Sequence, residues 1–327
     1  MTSVELPRWD ALPGDAERCI DDIDRWAMAL RDSDVVSAFS ESAAGSIRRL
    51  AGVELLDSLE NFASSRWDFR GGRERNLAAP STFSERQAAA IDSAATMLGL
   101  AGTPGPRRTA YDAVIMTGGM VRAGIVKPRY LRELTDHGLE WREGVFLGGF
   151  RPFAGDESEL GRALGVAGGN EFDAMTTGME LAFGLGQPES VDPHGVPSSG
   201  LAGNSVWRED SWGWNGRTLR VVAAPSSRPE LRRANTVDTF RFWAARAHGI
   251  RSVLVVTTPV YVPYQGAGAI EVFGLEFGMS VETVAVSATA SDLGRHTQLF
   301  LPQHRAQELR SAVHGMRSLR SRLVATG

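Results

Sequence analysis

Asp112–Gly119 reads DAVIMTGG. Its middle, Ala113–Thr117, is a short apolar run with branched side chains, and a glycine pair follows at once. A run without polar alternation fits a strand buried on both faces, as in a parallel sheet. The same texture recurs at Gly144–Leu147 (GVFL), Leu219–Ala223 (LRVVA), Val253–Thr257 (VLVVT) and Glu282–Val286 (ETVAV). Helical patterns lie between or after these runs, at Pro128–His137, Glu171–Leu185, Thr236–Ala247 and Ala267–Gly278, with a last one at Pro302–Leu323. Strands alternating with helices predict an α/β domain with a doubly wound, mainly parallel sheet and right-handed crossovers.

Upstream the texture is helical. Ile20, Ile23, Trp26, Ala27 and Leu30 recur at helical spacing in Cys19–Leu30, and similar patterns occupy Ser42–Leu59 and Ser84–Leu98, the latter with Ser84 as N-cap. Ser65–Ser81 reads as an arginine- and glycine-rich loop, and Gly102–Arg108 (GTPGPRR) as a linker. The expected organisation is a helical region over 1–108 and the α/β domain over 109–327. Gln187–Gly216, with Pro188, Pro193, Pro197, Trp207, Trp212 and Trp214, reads as a long irregular insertion.

The 327 residues are 43% hydrophobic and 23% charged, which excludes a disordered or collagen-like chain. The net charge of −4 does not favour nonspecific nucleic-acid binding. Cys19 is the only cysteine, so no disulfide forms within the chain. No apolar run approaches the ~18 residues of a membrane span, and Met1–Arg18 has no basic flank before an apolar stretch. A cytoplasmic protein is expected. Lys127 is the sole lysine among 35 basic residues, a solitude that the arginine bias of the whole chain explains. The arginines of the last helix, Arg305, Arg310, Arg317, Arg320 and Arg322, read as a solvated basic face or a phosphate-binding one.

In open parallel sheets ligands bind at the carboxyl ends of the strands, where strand order reverses. The turns there are therefore the informative places. Gly118-Gly119, with Arg122 following, and Gly148-Gly149-Phe150-Arg151 offer paired glycines whose amides can meet an anion. Plain tight turns read equally well. The next turns carry Ser226, Ser227 and Arg228, then Thr257, Thr258 and Tyr261. Asn235-Thr236, with Asp238, reads as a helix cap or a ligand contact, and Glu171 with Asp173 as dipole-favoured acids or as partners of a hydroxyl, amine or metal. Neither GxGxxG, GxxxxGK[ST], HExxH nor GxSxG occurs, and the six histidines lack paired metal-ligand spacing.

These motifs come in a familiar order. DAVIMTGG (Asp112–Gly119) with Arg122, VFLGG (Val145–Gly149), Glu171 in NEFDAM, Asn235-Thr236 in ANTVDT, and VTTPVYVP (Val256–Pro263) together resemble the YdcF/SanA/ElyC-like family. The likeness spans about Tyr111–Ala288. It implies a bacterial Rossmann-like domain and, since one member has been linked to S-adenosylmethionine, an adenosine-containing ligand. The chain departs from the family pattern where a histidine and an arginine are usual, holding Tyr261 and Tyr264 instead, and where an asparagine follows the Asn-Thr pair, holding Thr239.

The resulting expectation is a soluble Rossmann-like protein that binds a nucleotide-like or phosphorylated small molecule and acts as a transferase or hydrolase. Glu171 and Tyr261 are its expected catalytic groups. Gly118, Gly119, Arg122, Gly148, Gly149, Arg151, Ser226, Ser227, Asn235, Thr236, Thr258 and Tyr264 are its expected ligand contacts, with a tryptophan from 207–214 as cover. The alternatives are a noncatalytic regulator and an interaction scaffold. No metal, nucleic-acid or membrane partner is expected.

Overall fold

The computed structural model describes residues 3–69, 81–195 and 201–326. Contacts gather the chain into two compact units. One joins Met1–Pro104, Pro259–Glu271 and Leu299–Gly327, and the other joins Gly105–Thr258 and Val272–Gln298. The first cut falls beside the linker expected at 108, but the sequence reading drew only that cut. The last helix instead belongs with the N-terminal helices, because its apolar face is buried among them.

The second unit is an α/β body around a seven-stranded sheet in the order β3-β4-β5-β2-β1-β6-β7. β1 (Ala110–Thr117), β2 (Glu140–Gly148), β5 (Arg217–Ala223), β6 (Ser252–Thr257) and β7 (Ser280–Ala285) run parallel, with Val114 opposite Gly144 and Leu254. All five apolar runs of the sequence lie in or overlap these strands. The chain starts in the middle of the sheet at β1, steps outward through β2 to β5, then returns to the other flank of β1 with β6. Strand order therefore reverses at β1.

The described parts of the segment read as irregular, 187–195 and 201–216, hold two antiparallel strands at one side of the sheet. β3 (Ser190–His194) and β4 (Trp207–Trp214) are antiparallel, and β4 pairs antiparallel with β5 from Arg208 opposite Ala223 to Trp214 opposite Arg217. Asn215-Gly216 joins β4 to β5 with positive φ at both residues (49° and 76°), the geometry a two-residue hairpin turn requires. Trp212 is buried and donates Nε1 to Gly186 O at 2.9 Å, while Trp214 stacks flat on Trp141 at 6.2 Å between ring centres. The tryptophans of this strand are thus mainly structural. β3 is exposed along its length and carries Pro193, which suits an edge strand.

α6 (Val121–Asp136) follows β1, and α7 (Glu157–Ala163) and α8 (Glu171–Phe183) follow β2. α6 and α8 pack together against one apolar cluster with Val114, Met116, Phe146, Val221, Leu254 and Val256 of the sheet. Their backbones meet at glycines. A Cβ on Gly178 would sit 1.9 Å from Gly124 O, and one on Gly124 would sit 2.8 Å from Ala174 O. Pro128 has no N–H to bond Gly124 O, the carbonyl four residues back, so that carbonyl is left to face α8. α6 begins well before the Pro128 start expected from the sequence, because proline only removes this one bond. α9 (Thr236–Ala244) and α11 (Ala288–Ser291) complete the unit.

The first unit is helical. It holds α1 (Asp15–Asp32), α2 (Asp34–Phe39), α3 (Glu41–Ile47), α4 (Gly52–Arg66), α5 (Glu85–Met97), α10 (Val262–Ala269) and α12 (Pro302–Thr326). Ser42–Leu59, read as one helix, breaks near Arg48–Ala51, and Gly52 takes a left-handed φ of 54°. Ser84 caps α5 as expected, in a reciprocal box with Gln87. α12 packs on α1, α4, α5 and α10 through Leu309, Val313, Met316, Leu319 and Leu323. Trp26 is fully buried and donates Nε1 to Leu98 O at 3.2 Å. Most of the Ser65–Ser81 loop reading falls on 70–80, outside the described residues. No helix among the described residues is long and apolar enough to cross a membrane.

Candidate functional site

The carboxyl ends of β1 and β2 place Gly118-Gly119 beside Gly148-Gly149, and Glu171 lies between the two turns. Its Oε1 accepts from Gly119 N at 2.5 Å and its Oε2 from Gly149 N at 3.2 Å. Gly118 is the glycine that this approach most requires. A Cβ on Gly118 would lie 2.5 Å from Glu171 Oε1 and 2.9 Å from Gly148 Cα, and one on Gly148 would lie 3.2 Å from Glu171 Cδ. Asn170 caps α8 in a box with Asp173, and the Glu171 N–H donates to Arg151 O at 2.8 Å, so the side chain leaves the first helical turn in a fixed direction.

The sequence pointed to an external anion on these amides. The structure fills the place with the protein's own carboxylate. The same is true one turn further on. Val121 N, the first amide of α6, donates to Glu157 Oε1 at 3.2 Å. Glu157 is fully buried, accepts from Ala154 N at 3.0 Å and takes a two-pronged bond from Arg151 at 2.7 and 2.8 Å. Arg151 also donates to Gly119 O at 3.3 Å. Expected as a ligand contact, Arg151 here ties the second turn to the first.

The two carboxylates differ in charge behaviour. Burial pushes the Glu171 carboxyl above its ordinary value, against the pull of Arg151, the two amides and Arg233. Burial also works on Glu157, but the hydrogen bonds from Arg151, Ala154 and Val121 and the Arg151 charge outweigh it and hold that carboxyl below the usual range. The residue as a whole is half-buried, with its carboxyl group turned inward onto the two turns.

Lys127 sits beneath the first turn. It is fully buried, and its Nζ donates to Thr117 O, to Thr117 Oγ1 at 2.8 Å and to Gly118 O at 3.2 Å. The Thr117 hydroxyl in turn meets that of Thr257 at 3.2 Å, joining the ends of β1 and β6 where strand order reverses. The lysine holds backbone oxygens.

The remaining expected residues are distributed as follows. Arg122 donates Nε to His296 O at 2.7 Å. Ser226 Oγ accepts from Arg228 N at 3.0 Å, and Ser227 Oγ from Arg232 at 3.2 Å. Asn235 caps α9 in a box with Asp238, and Arg232 pairs with Asp238. These polar groups build the loop after β5. Thr236 opens α9, and Thr258 is buried after β6. Trp207, the only tryptophan of β4 at the carboxyl edge, packs on His194 and Phe242 at 5.9 and 5.5 Å. Phe150 and Phe172 flank the Glu171 turn, 5.3 Å apart, and the Arg208 guanidinium lies over Phe172 at 5.1 Å. Tyr261 and Tyr264 belong to the helical unit, where a Cβ on Gly315 would lie 3.0 Å from the Tyr264 ring. Glu157 was missed from the sequence, and its only signal was an acid near a helix start. Among the described residues no three histidine, cysteine, aspartate or glutamate side chains group as a metal site.

Residues 10–99 match a family model described as the Rv3785 N-terminal domain. The chain is similar to uncharacterized protein Rv3785 of Mycobacterium tuberculosis, 27% identical over 300 residues, which cover 83% of this chain and 81% of that protein. Uncharacterized protein Mb3814 of Mycobacterium bovis matches to the same extent. No solved structure matches.

Proposed function

We propose that this chain is a soluble, cytoplasmic Rossmann-like protein, doubly wound about the five parallel strands, that binds a nucleotide-like or phosphorylated small molecule at their carboxyl edge. The observation that carries the reading is Glu171. A carboxylate stands between the glycine turns of β1 and β2, beside the β1–β6 junction where strand order reverses, and accepts an N–H from each turn. In open α/β sheets this is the place of ligands. The likeness of the motif order to YdcF/SanA/ElyC-like proteins supports the same reading and keeps S-adenosylmethionine and other adenosine-containing compounds as the first ligands to try.

Because Glu171 already satisfies the turn amides, it meets hydroxyl or amino donors of the ligand. The anionic part goes to the arginines of the same edge, Arg122 and Arg233. A carboxyl raised towards neutrality suits proton transfer, which favours an enzyme over a passive binder. The test is a thermal-shift and calorimetric screen of nucleosides, nucleotides, S-adenosylmethionine and sugar phosphates. A true ligand stabilises the wild-type protein by about 2.7 kcal/mol at 100 times its dissociation constant, and E171Q abolishes that shift. Absence of any hit, or equal binding by E171Q, overturns the reading. Turnover of a hit separates an enzyme from a regulator.

A further inference from the structure

The peptide group between Gly118 and Gly119 lies between two charged side chains. Its carbonyl oxygen accepts from Lys127 Nζ at 3.2 Å, and its N–H donates to Glu171 Oε1 at 2.5 Å. In a trans peptide the C=O and N–H point in opposite directions, so the two side chains approach from opposite ends of one dipole. Lys127 meets two carbonyl oxygens and a threonine hydroxyl, which suits a protonated amine with three donors. An ammonium on the oxygen side polarises the peptide so that its N–H attracts a carboxylate more strongly.

We propose that Lys127 is the positioning residue of the candidate site: it acts on Glu171 through the Gly118–Gly119 peptide, orienting that N–H and keeping the carboxylate ionised and aimed. The role of the site rests on the function proposed above, but the coupling itself does not. Besides Lys127, the charged groups that act on Glu171 among the described residues include Arg151 and Arg233, and Arg151 is itself paired with Glu157. Arg151 can thus only partly replace the lysine's charge. A purely structural lysine would hold the two carbonyls without sensing the ionisation of Glu171.

Because Lys127 is the sole lysine, labelling the protein with isotopic lysine gives one side-chain signal that needs no assignment. In a pH titration of the ligand-free wild-type protein, that signal shifts at the midpoint of the Glu171 carboxyl, which is read with labelled glutamate and identified by its loss in E171Q. The lysine inflection is lost in E171Q. In K127M and K127Q the Glu171 midpoint rises by about one pH unit, the size expected for a charge one peptide group away at an effective dielectric of about 20–40. K127R returns it towards the wild-type value. A lysine signal that ignores the Glu171 titration in the wild-type protein overturns the proposal whether or not the variants fold. So does an unchanged midpoint in a folded K127M or K127Q. Since no ligand is present, a failed ligand screen leaves this result standing, and the reverse holds too.

Discussion

Glu157 and Glu171, neighbouring acids at the same turns, have opposite effects on stability. Glu157 has a folded-state value below its unfolded one, so its contribution is complete above about pH 4.5 and is lost as the pH falls through the lowered value. Glu171 has a raised value, so its charge costs stability at neutral pH, and the cost is relieved as the pH falls through that value. E171Q removes this pH dependence, and it sets an NH2 donor against one of the two glycine N–H groups, so its melting point at pH 7 is a balance of the two effects. Melting curves across pH that differ between the two proteins by a constant would contradict this. Ligand affinity of the wild-type protein falls on acidification with a midpoint above 4.5, measurable by calorimetry across pH. G118A behaves differently. Its Cβ meets backbone as well as Glu171, so the turn itself must move, at about 1–3 kcal/mol as for other overpacked sites. Glu171 was legible from its place at the start of a helix after a glycine-ended strand. Glu157 and the Lys127 contacts were not, because their partners are set by how the loops fold back and by no local pattern.

At the level of elements, the contact of α6 with α8 turns on the absence of side chains. G178A places a methyl against a carbonyl that Pro128 leaves without its helical partner, and chemical denaturation should show a loss of about 2–3 kcal/mol or more. The arginines of α12 are committed within their own unit. Arg320 grips Asp24 with two bonds at 2.8 and 3.1 Å, Arg317 pairs with Asp57 and Glu60, and Arg305 with Asp92. The basic face suggested by the sequence is largely balanced by acids of α1, α4 and α5. The protein is expected to pass through immobilised DNA even at low salt, and retention that declines with salt would refute this. β1, β2 and β6 are legible because their carboxyl-terminal halves are buried on both faces and show an unbroken apolar run, while β5 and β7 show it only in part. β3 and β4 are not, because the edge strand β3 is exposed and carries a proline and its neighbour β4 is rich in charged residues, so neither shows an apolar run. The Asn215-Gly216 pair was the local signal that marked the hairpin.

For the molecule as a whole, the rhythm of strands and helices locates the sheet, whereas the last helix gathers with the N-terminal helices and not with the α/β unit expected from the sequence. An arginine-rich amphipathic pattern does not say which apolar face it covers, and that is decided by segments far away in sequence. Removing 299–327 is expected to expose the apolar residues of α1, α4 and α5. Hydrogen exchange should then rise across those helices.

This discontinuity also bears on synthesis. The chain between the first unit's N-terminal part and its final segment runs from 105 to 298, broken only by 259–271. At about 5–20 residues per second the ribosome needs roughly 10–40 s to make it. During that interval α1, α4 and α5 wait with an uncovered apolar face, and nascent protein is most open to chaperone capture there.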